Sequence, residues 1–317
     1  MGLFFLSDPL YLQHHTGFGH PEQPARAFVI QNAIITSGLN YLPLHPRKIE
    51  TNELLLCHTS DYIQLVRTEV DRIENCSKPL MLSTGDVFIC KHSYEVAKLA
   101  AGGVLAAVDK VMGEQNTRAF CAVRPPGHHA CSNRGMGFCL FNQVALAARY
   151  AQQKYALGKV LIVDWDVHHG NGTQEIFYTD PSVFYFSTHQ AGIYPGTGFA
   201  QEIGEGAGKG FTLNVPIQAT SRSREEVLHA FSTLLREKME GFRPELVLIS
   251  AGFDAHVKDP LGQFNLTDQD FANLTKIVKE IAEKYAAGRL LSVLEGGYNL
   301  SALASASLAH LRILAGE

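Results

Sequence analysis

At 317 residues, with 46% hydrophobic and 18% charged side chains, the chain has the make-up of a soluble globular protein with ample material for a large core. Its net charge of −4 and isoelectric point near 6.4 leave no general basic footprint, which argues against a nucleic-acid-binding surface. The opening Leu3-Phe4-Phe5-Leu6 is too short for a secretory signal, and no later apolar run is long enough to span a bilayer, so no membrane partner is expected.

In chain order, Leu3–Leu6 reads as a first strand, and His14–Pro24 as a polar loop whose His14-His15 pair is a loop or rim feature, without a carboxylate at metal-ligand spacing. Arg26 opens an amphipathic helix to about Thr36, Leu54–Cys57 is a short strand candidate, and Ser60–Ile73 is a helix. The stretch from Asn75 to Gly85 reads as a loop, and Lys91–Met112 as a long Ala-rich helix with Gly102-Gly103 at a close packing contact. Ala119–Val123 is a strand that delivers Arg124-Pro-Pro-Gly-His-His129, where the prolines and glycine impose a stiff turn beneath tandem histidines. After a helix over Asn142–Tyr155, Val160–Val163 reads as a buried parallel strand ending in Asp164-Trp-Asp-Val-His168. Strands over Val183–Ser187 and Phe211–Val215 flank a Gly-rich loop, whose glycines fit neither phosphate-binding fingerprint and which reads as a flexible surface segment. A helix with a capping-box pattern opens at Ser223, and the strand Glu245–Ser250 delivers Ala251-Gly-Phe-Asp254. A capped helix spans Asp268–Tyr285, and the strand Arg289–Leu294 delivers Glu295-Gly-Gly-Tyr298. Strands alternating with helices define an α/β protein, and the absence of repeats, charge blocks or linkers gives a single domain over 1–317. Four of the six cysteines (Cys57, Cys90, Cys121, Cys139) sit in apolar runs as small buried hydrophobes, which suits a reducing, cytoplasmic location.

Open α/β sheets place their sites at strand C-terminal ends, where these polar motifs fall. In extended backbone Asp164, Asp166 and His168 share a face. Two carboxylates and an imidazole there are costly to leave unpaired; a divalent metal satisfies them, and a solvated Asp/His turn is the plain alternative. Asp166, His168 and Asp254 then form a ligand set with coordination positions left open, for which zinc is the default. His128 and His129 become the proton-transfer pair, with Asp164 and Asn171 as orienting partners, and the phenol of Tyr298 an oxyanion donor. Together these groups suit hydrolysis of an unactivated amide.

The four motifs Arg124–His129, Asp164–Gln174, Ser250–His256 and Glu295–Asn299, in this order, resemble the signatures of the zinc-dependent histone deacetylase family. The likeness runs from His20 to Asn299 and is greatest to the class II branch and the bacterial histone deacetylase-like amidohydrolases. It implies the arginase/deacetylase fold, a single eight-stranded parallel sheet sandwiched between helices, with Zn2+ (or Fe2+) on Asp166, His168 and Asp254. It further implies that His129 is general base and acid, that His128 assists electrostatically, and that Tyr298 polarises the acyl carbonyl. By the same resemblance Phe138 and Tyr194 wall an acyl-lysine tunnel and Asp86 holds substrate backbone at the rim. Arg26 lies beneath the site near an acetate exit. Asp164 together with Asp166, His168 and Ser187 forms a structural K+ site.

Two residues depart from parts of the family. Asn171 stands where class I members carry aspartate, so His129 is expected to be less biased towards imidazolium. Leu261 stands where the polyamine-selective branch carries a glutamate, and a leucine cannot attract a secondary ammonium. The expected function is therefore deacetylation of lysine side chains in proteins or peptides, with a small-molecule deacetylase acting on acetylpolyamines or related amides as the alternative. A homo-oligomer stays open.

Overall fold

The structure is a computed structural model that describes residues 2–74 and 78–317. Its strands are β1 (Gly2–Leu6), β2 (Leu42–Leu44), β3 (Leu80–Met81), β4 (Phe88–Ile89), β5 (Thr117–Cys121), β6 (Val160–Asp164), β7 (Val183–Gln190), β8 (Thr212–Ile217), β9 (Leu246–Ala251) and β10 (Leu290–Leu294). Eight of them form one sheet in the order β2-β1-β5-β10-β9-β6-β7-β8, and every pairing in it is parallel. β3 and β4 make a separate antiparallel pair.

Period-two alternation divides the core. Along β6, Val160 and Ile162 join one apolar cluster while Leu161 and Val163 join the other; along β9, Leu246 and Leu248 separate from Val247 and Ile249 in the same way. Both faces are thus covered, as an all-parallel sheet requires. The helices are α1 (Ala25–Ser37), α2 (Thr51–Leu54), α3 (Ser60–Asp71), α4 (Ser93–Gly113), α5 (Gln143–Tyr155), α6 (Asn171–Phe177), α7 (Ser223–His229), α8 (Arg236–Phe242), α9 (Asp268–Tyr285) and α10 (Leu300–Ala315). One cluster takes α3, α4 and α5, and the other takes α1, α9 and α10. No helix among the described residues is long and apolar enough to cross a membrane.

Four local expectations are corrected. Leu54–Cys57 is not a strand: Thr51–Leu54 is a helical turn closed by a reciprocal capping box between Glu50 and Glu53. Ser223 does not cap its helix, because Arg222 occupies the N-cap and Ser223 lies buried inside the first turn. His14 is no rim residue; it is fully buried, with Nδ1 2.8 Å from Ser93 Oγ. The loop expected over 75–85 falls at 75–77 outside the described residues, and its remainder includes β3.

Five adjacent strands, β5, β10, β9, β6 and β7, end on the same edge because all are parallel. Their following loops carry His128 and His129, Tyr298, Asp254, Asp166 and His168, and Tyr194, in that order. Residues distant in sequence therefore meet above one sheet edge.

Candidate active site

Asp166 and Asp254 are fully buried, and one ligand atom each from Asp166, His168 and Asp254 lies within 4.8 Å of the others. His168 Nδ1 is 3.0 Å from Asp166 Oδ1 and 3.2 Å from Asp254 Oδ2. A tetrahedral ion with ordinary zinc bond lengths has ligand–ligand edges of roughly 3.3 Å, so these donors fit a small divalent metal. Their electrostatics point the same way. Burial, followed by the Asp166 charge, pushes the Asp254 carboxyl above the ordinary carboxylate range, and the two carboxylates outweigh burial to raise His168 above the ordinary histidine value. Such a cage favours a cation. Gly296 is required beside it, since a Cβ there would lie 2.0 Å from Asp254 Oδ2, while its N–H donates to Asp166 Oδ2 at 2.8 Å.

The tandem histidines lie with ring centroids 4.0 Å apart and planes tilted by 44°, yet their surroundings differ. His128 Nδ1 lies 3.0 Å from Asp164 Oδ2. Burial opposes its charge, but Asp164, Asp166 and Glu295 prevail and raise it to about 10. His129 Nδ1 lies 2.8 Å from Asn171 Oδ1, and the Asn171 amide nitrogen faces Cys131 Sγ and Met136 Sδ at 3.5 and 3.3 Å. That orientation makes Asn171 Oδ1 an acceptor, so His129 carries its proton on Nδ1 and leaves Nε2 as a base. Burial and the neighbouring charges of His128 and His168 hold His129 well below the ordinary histidine value.

Tyr298 follows β10. Burial raises its phenol well above 10, with Arg26 opposing, so the hydroxyl stays a donor at neutral pH. Arg26 is fully buried; its guanidinium lies 5.0 Å from the Tyr298 ring centroid, donates to Gly297 O at 2.7 Å and to Glu295 O, and pairs with Glu22 at 3.2 Å. The contacts to Tyr298, Gly297 and Glu295 make it a bracket beneath the Gly-Gly-Tyr loop, held from the other side by Glu22. Asp164, besides His128, accepts from Tyr185 Oη at 3.1 Å and stands opposite Ser187 in the β6–β7 register, where the Ser187 hydroxyl meets His189 Nδ1 at 2.8 Å.

A cavity of about 300 Å³ opens above these groups, lined by His129, His168 and Tyr298 below and by Phe138, Tyr194, Leu261 and Asp86 towards solvent. The Phe138 ring meets Tyr298 edge-on at 6.1 Å, and Tyr194 meets His129 edge-on at 5.0 Å. Phe138 adopts φ +66°, a left-handed conformation that costs a bulky residue ~1–3 kcal/mol and is retained where surrounding structure demands it. The Asp86 carboxylate accepts from Gly137 N at 2.7 Å and from Tyr194 Oη at 3.1 Å, so the tyrosine hydroxyl ties the tunnel wall to the rim.

Three contributors escaped sequence reasoning. Glu295 accepts from the backbone of Gly127 and His128 at 2.7 and 3.1 Å and so fixes the tandem-histidine loop; a carboxylate directly after an apolar strand was the available signal. Glu22, fully buried, pairs with Arg124 at 2.8 Å, and its flanking prolines concealed it as loop chemistry. Ile193 lines the cavity and carried no signal beyond its neighbour Tyr194.

A parallel sheet bearing a carboxylate–imidazole cage at its edge has the architecture of the arginase/deacetylase class. The histone deacetylase domain family matches residues 20–314, and the chain belongs to that family of hydrolases, which implies a divalent metal. It is 40% identical over 309 residues to Histone deacetylase 6 of Caenorhabditis elegans, covering 93% of this chain and 32% of that protein. To Polyamine deacetylase HDAC10 of Danio rerio it is 38% identical over 309 residues, covering 93% of this chain and 44% of that protein. The chain thus spans less than half the length of either relative. The crystal structure of the HDA15 HD domain matches with a TM-score of 0.92 at 36% identity, covering 100% of this chain and 90% of that one.

Proposed function

We propose that the protein removes acetyl groups from lysine side chains of proteins or peptides by metal-dependent amide hydrolysis. The observation that carries this reading is the convergence of His129, His168 and Tyr298 on one cavity whose upper walls are aromatic. A neutral acyl-lysine chain is flat and apolar until its amide, and Phe138 and Tyr194 offer the matching surface.

A divalent ion on Asp166, His168 and Asp254, zinc by the donor set with ferrous iron as the alternative, supplies Lewis-acid polarisation and lowers the pKa of water. The protein's own groups do the rest. His129 Nε2 accepts the proton of the attacking water and returns it to the leaving lysine amine, while Asn171 keeps Nδ1 protonated. His128, an imidazolium beside Asp164, balances the negative charge that builds nearby. Tyr298 Oη donates to the carbonyl oxygen as it becomes an oxyanion. Arg26 lies on the buried side of Tyr298, where departing acetate would meet a cation. Asp86 at the mouth is placed to accept a substrate backbone N–H beside its bond to Tyr194. A structural K+ would take Asp164, Ser187 and the main-chain oxygens of Asp166 and His168, in keeping with the paired register of β6 and β7.

Leu261, at the mouth, favours a peptide over a polyamine because its own side chain offers no carboxylate to hold an internal ammonium, and Asp86, the carboxylate that also lines the cavity, already accepts from Tyr194 Oη and Gly137 N. The second reading, deacetylation of small acetylated amines, is favoured by the 38% identity to the zebrafish polyamine deacetylase. Replacing Tyr298 by Phe tests the mechanism common to both. Turnover of an acetyl-lysine peptide is expected to fall roughly ten- to a thousandfold with bound metal unchanged, and unaltered turnover would remove Tyr298 from the chemistry.

A further inference from the structure

Three backbone N–H groups from two different loops converge on one buried carboxylate, Asp259. Oδ2 accepts from Tyr298 N at 2.6 Å and Asn299 N at 3.2 Å, and Oδ1 accepts from Leu261 N at 2.9 Å. Asp259 is only 8% exposed, and its own N–H donates to His256 O at 2.8 Å. It is not among the residues that line the cavity.

The geometry needs such an anchor. Tyr298 follows Gly296 and Gly297, and Gly297 adopts φ +117°, so no upstream side chain helps to aim the tyrosine. Arg26 secures this loop through the carbonyls of Glu295 and Gly297. Asp259 secures it from the amide side, immediately where the ring departs. Asn299, the second amide it holds, also caps α10 by accepting from Ala302 N at 3.0 Å, which joins the clamp to a rigid element.

We infer that Asp259 is a positioning residue: it fixes the oxyanion donor Tyr298 and, through its second oxygen, ties that donor to the rim residue Leu261. The inference rests on the reading of Tyr298 as a donor to the reacting carbonyl. An oxyanion donor acts only when held within about half an ångström of its productive place. A charged acceptor serving several amides is stiffer than a neutral one, because its hydrogen bonds are charge-assisted. Asparagine at this position keeps the size but turns an NH2 group towards at least one of the three amides.

The test is a double-mutant cycle on an acetyl-lysine peptide with metal-loaded protein. Asp259→Asn alone is expected to lower kcat about ten- to a hundredfold, with KM within threefold and metal per chain unchanged. In a Tyr298→Phe chain the same substitution is expected to lower kcat by less than about threefold, because the group it positions is gone. Wild-type kcat for Asp259→Asn, or a full multiplicative loss in the Tyr298→Phe background, overturns the inference. A Tyr298→Phe chain as active as wild type overturns the reading of Tyr298 itself, which distinguishes the two failures. Should Asp259→Asn yield no soluble protein, Asp259→Glu retains the charge and displaces it by one methylene. Its expected loss is about three- to tenfold with Tyr298 present and none without it, and equal losses in both backgrounds overturn the proposal.

Discussion

The floor and the rim of the site are built differently. On the floor, Asp164, Asp166, Asp254 and Glu295 are fully buried and each meets several partners, so every side chain has one place to be. At the rim, Leu261 and Tyr194 are 38% and 37% exposed, and the Asp86–Tyr194 contact is a single hydrogen bond. Buried polar groups must be satisfied almost completely, whereas exposed ones can exchange with water. Under the proposed function the contrast puts chemistry on the floor, where substitution should be intolerable, and substrate choice at the rim, where substitution should redirect rather than abolish.

The sharpest way to break that contrast is Asp254→Asn on the floor. It removes one of the two carboxylates proposed to hold the metal, and both bound metal and turnover are expected to fall at least about a hundredfold, measured by metal analysis and peptide hydrolysis. Retained metal and activity would show that the cage is a structural ion-pair network instead. At the rim, Leu261→Glu should leave metal content unchanged and shift the ratio of kcat/KM for peptide over acetylpolyamine towards the polyamine by roughly tenfold, as one partly screened charge contact supplies. A ratio that does not move would detach Leu261 from selection.

The smallest effect concerns pH. His129 is held well below the usual histidine value first by burial and then by the neighbouring His128 charge. As a base it must be neutral, so activity is present above its pKa and lost as pH falls through it. In Asn171→Asp a carboxylate faces Nδ1, favours imidazolium and raises that pKa, so the acid limb of kcat/KM should move upward. An unmoved limb would mean that His129 is not the titrating base.

The floor was largely legible in the sequence because it rests on periodicity. Val160–Val163, Leu246–Ile249 and Leu290–Leu294 are apolar runs bounded by Gly, Asp or His, and each marks where a strand leaves the sheet. α9 began at Asp268, where Thr267 and Asp270 form a reciprocal cap. Other elements were hidden for physical reasons. β2 is three residues long and contains Pro43, and α10 runs through alternating Ser and Ala with little contrast between faces. Leu54–Cys57 reads as a strand from composition alone, but the Glu50–Glu53 cap settles a turn of helix there. The second layer of the site was least legible: Glu295 and Asp259 act on backbone amides far away in sequence, and a carboxylate's target amide leaves no periodic trace. Leu261 was legible as a rim position only through resemblance, since nothing in Asp259-Pro-Leu-Gly262 announces a cavity.

The most direct test is steady-state hydrolysis of an acetyl-lysine peptide and of N8-acetylspermidine by one zinc-loaded preparation, with a chelated control. A higher kcat/KM for the peptide, with both activities lost on chelation and restored by zinc, is the expected result. A higher value for the polyamine would contradict the assignment of the substrate to Leu261 and the tunnel mouth, and activity that survives chelation would contradict the metal-centred mechanism.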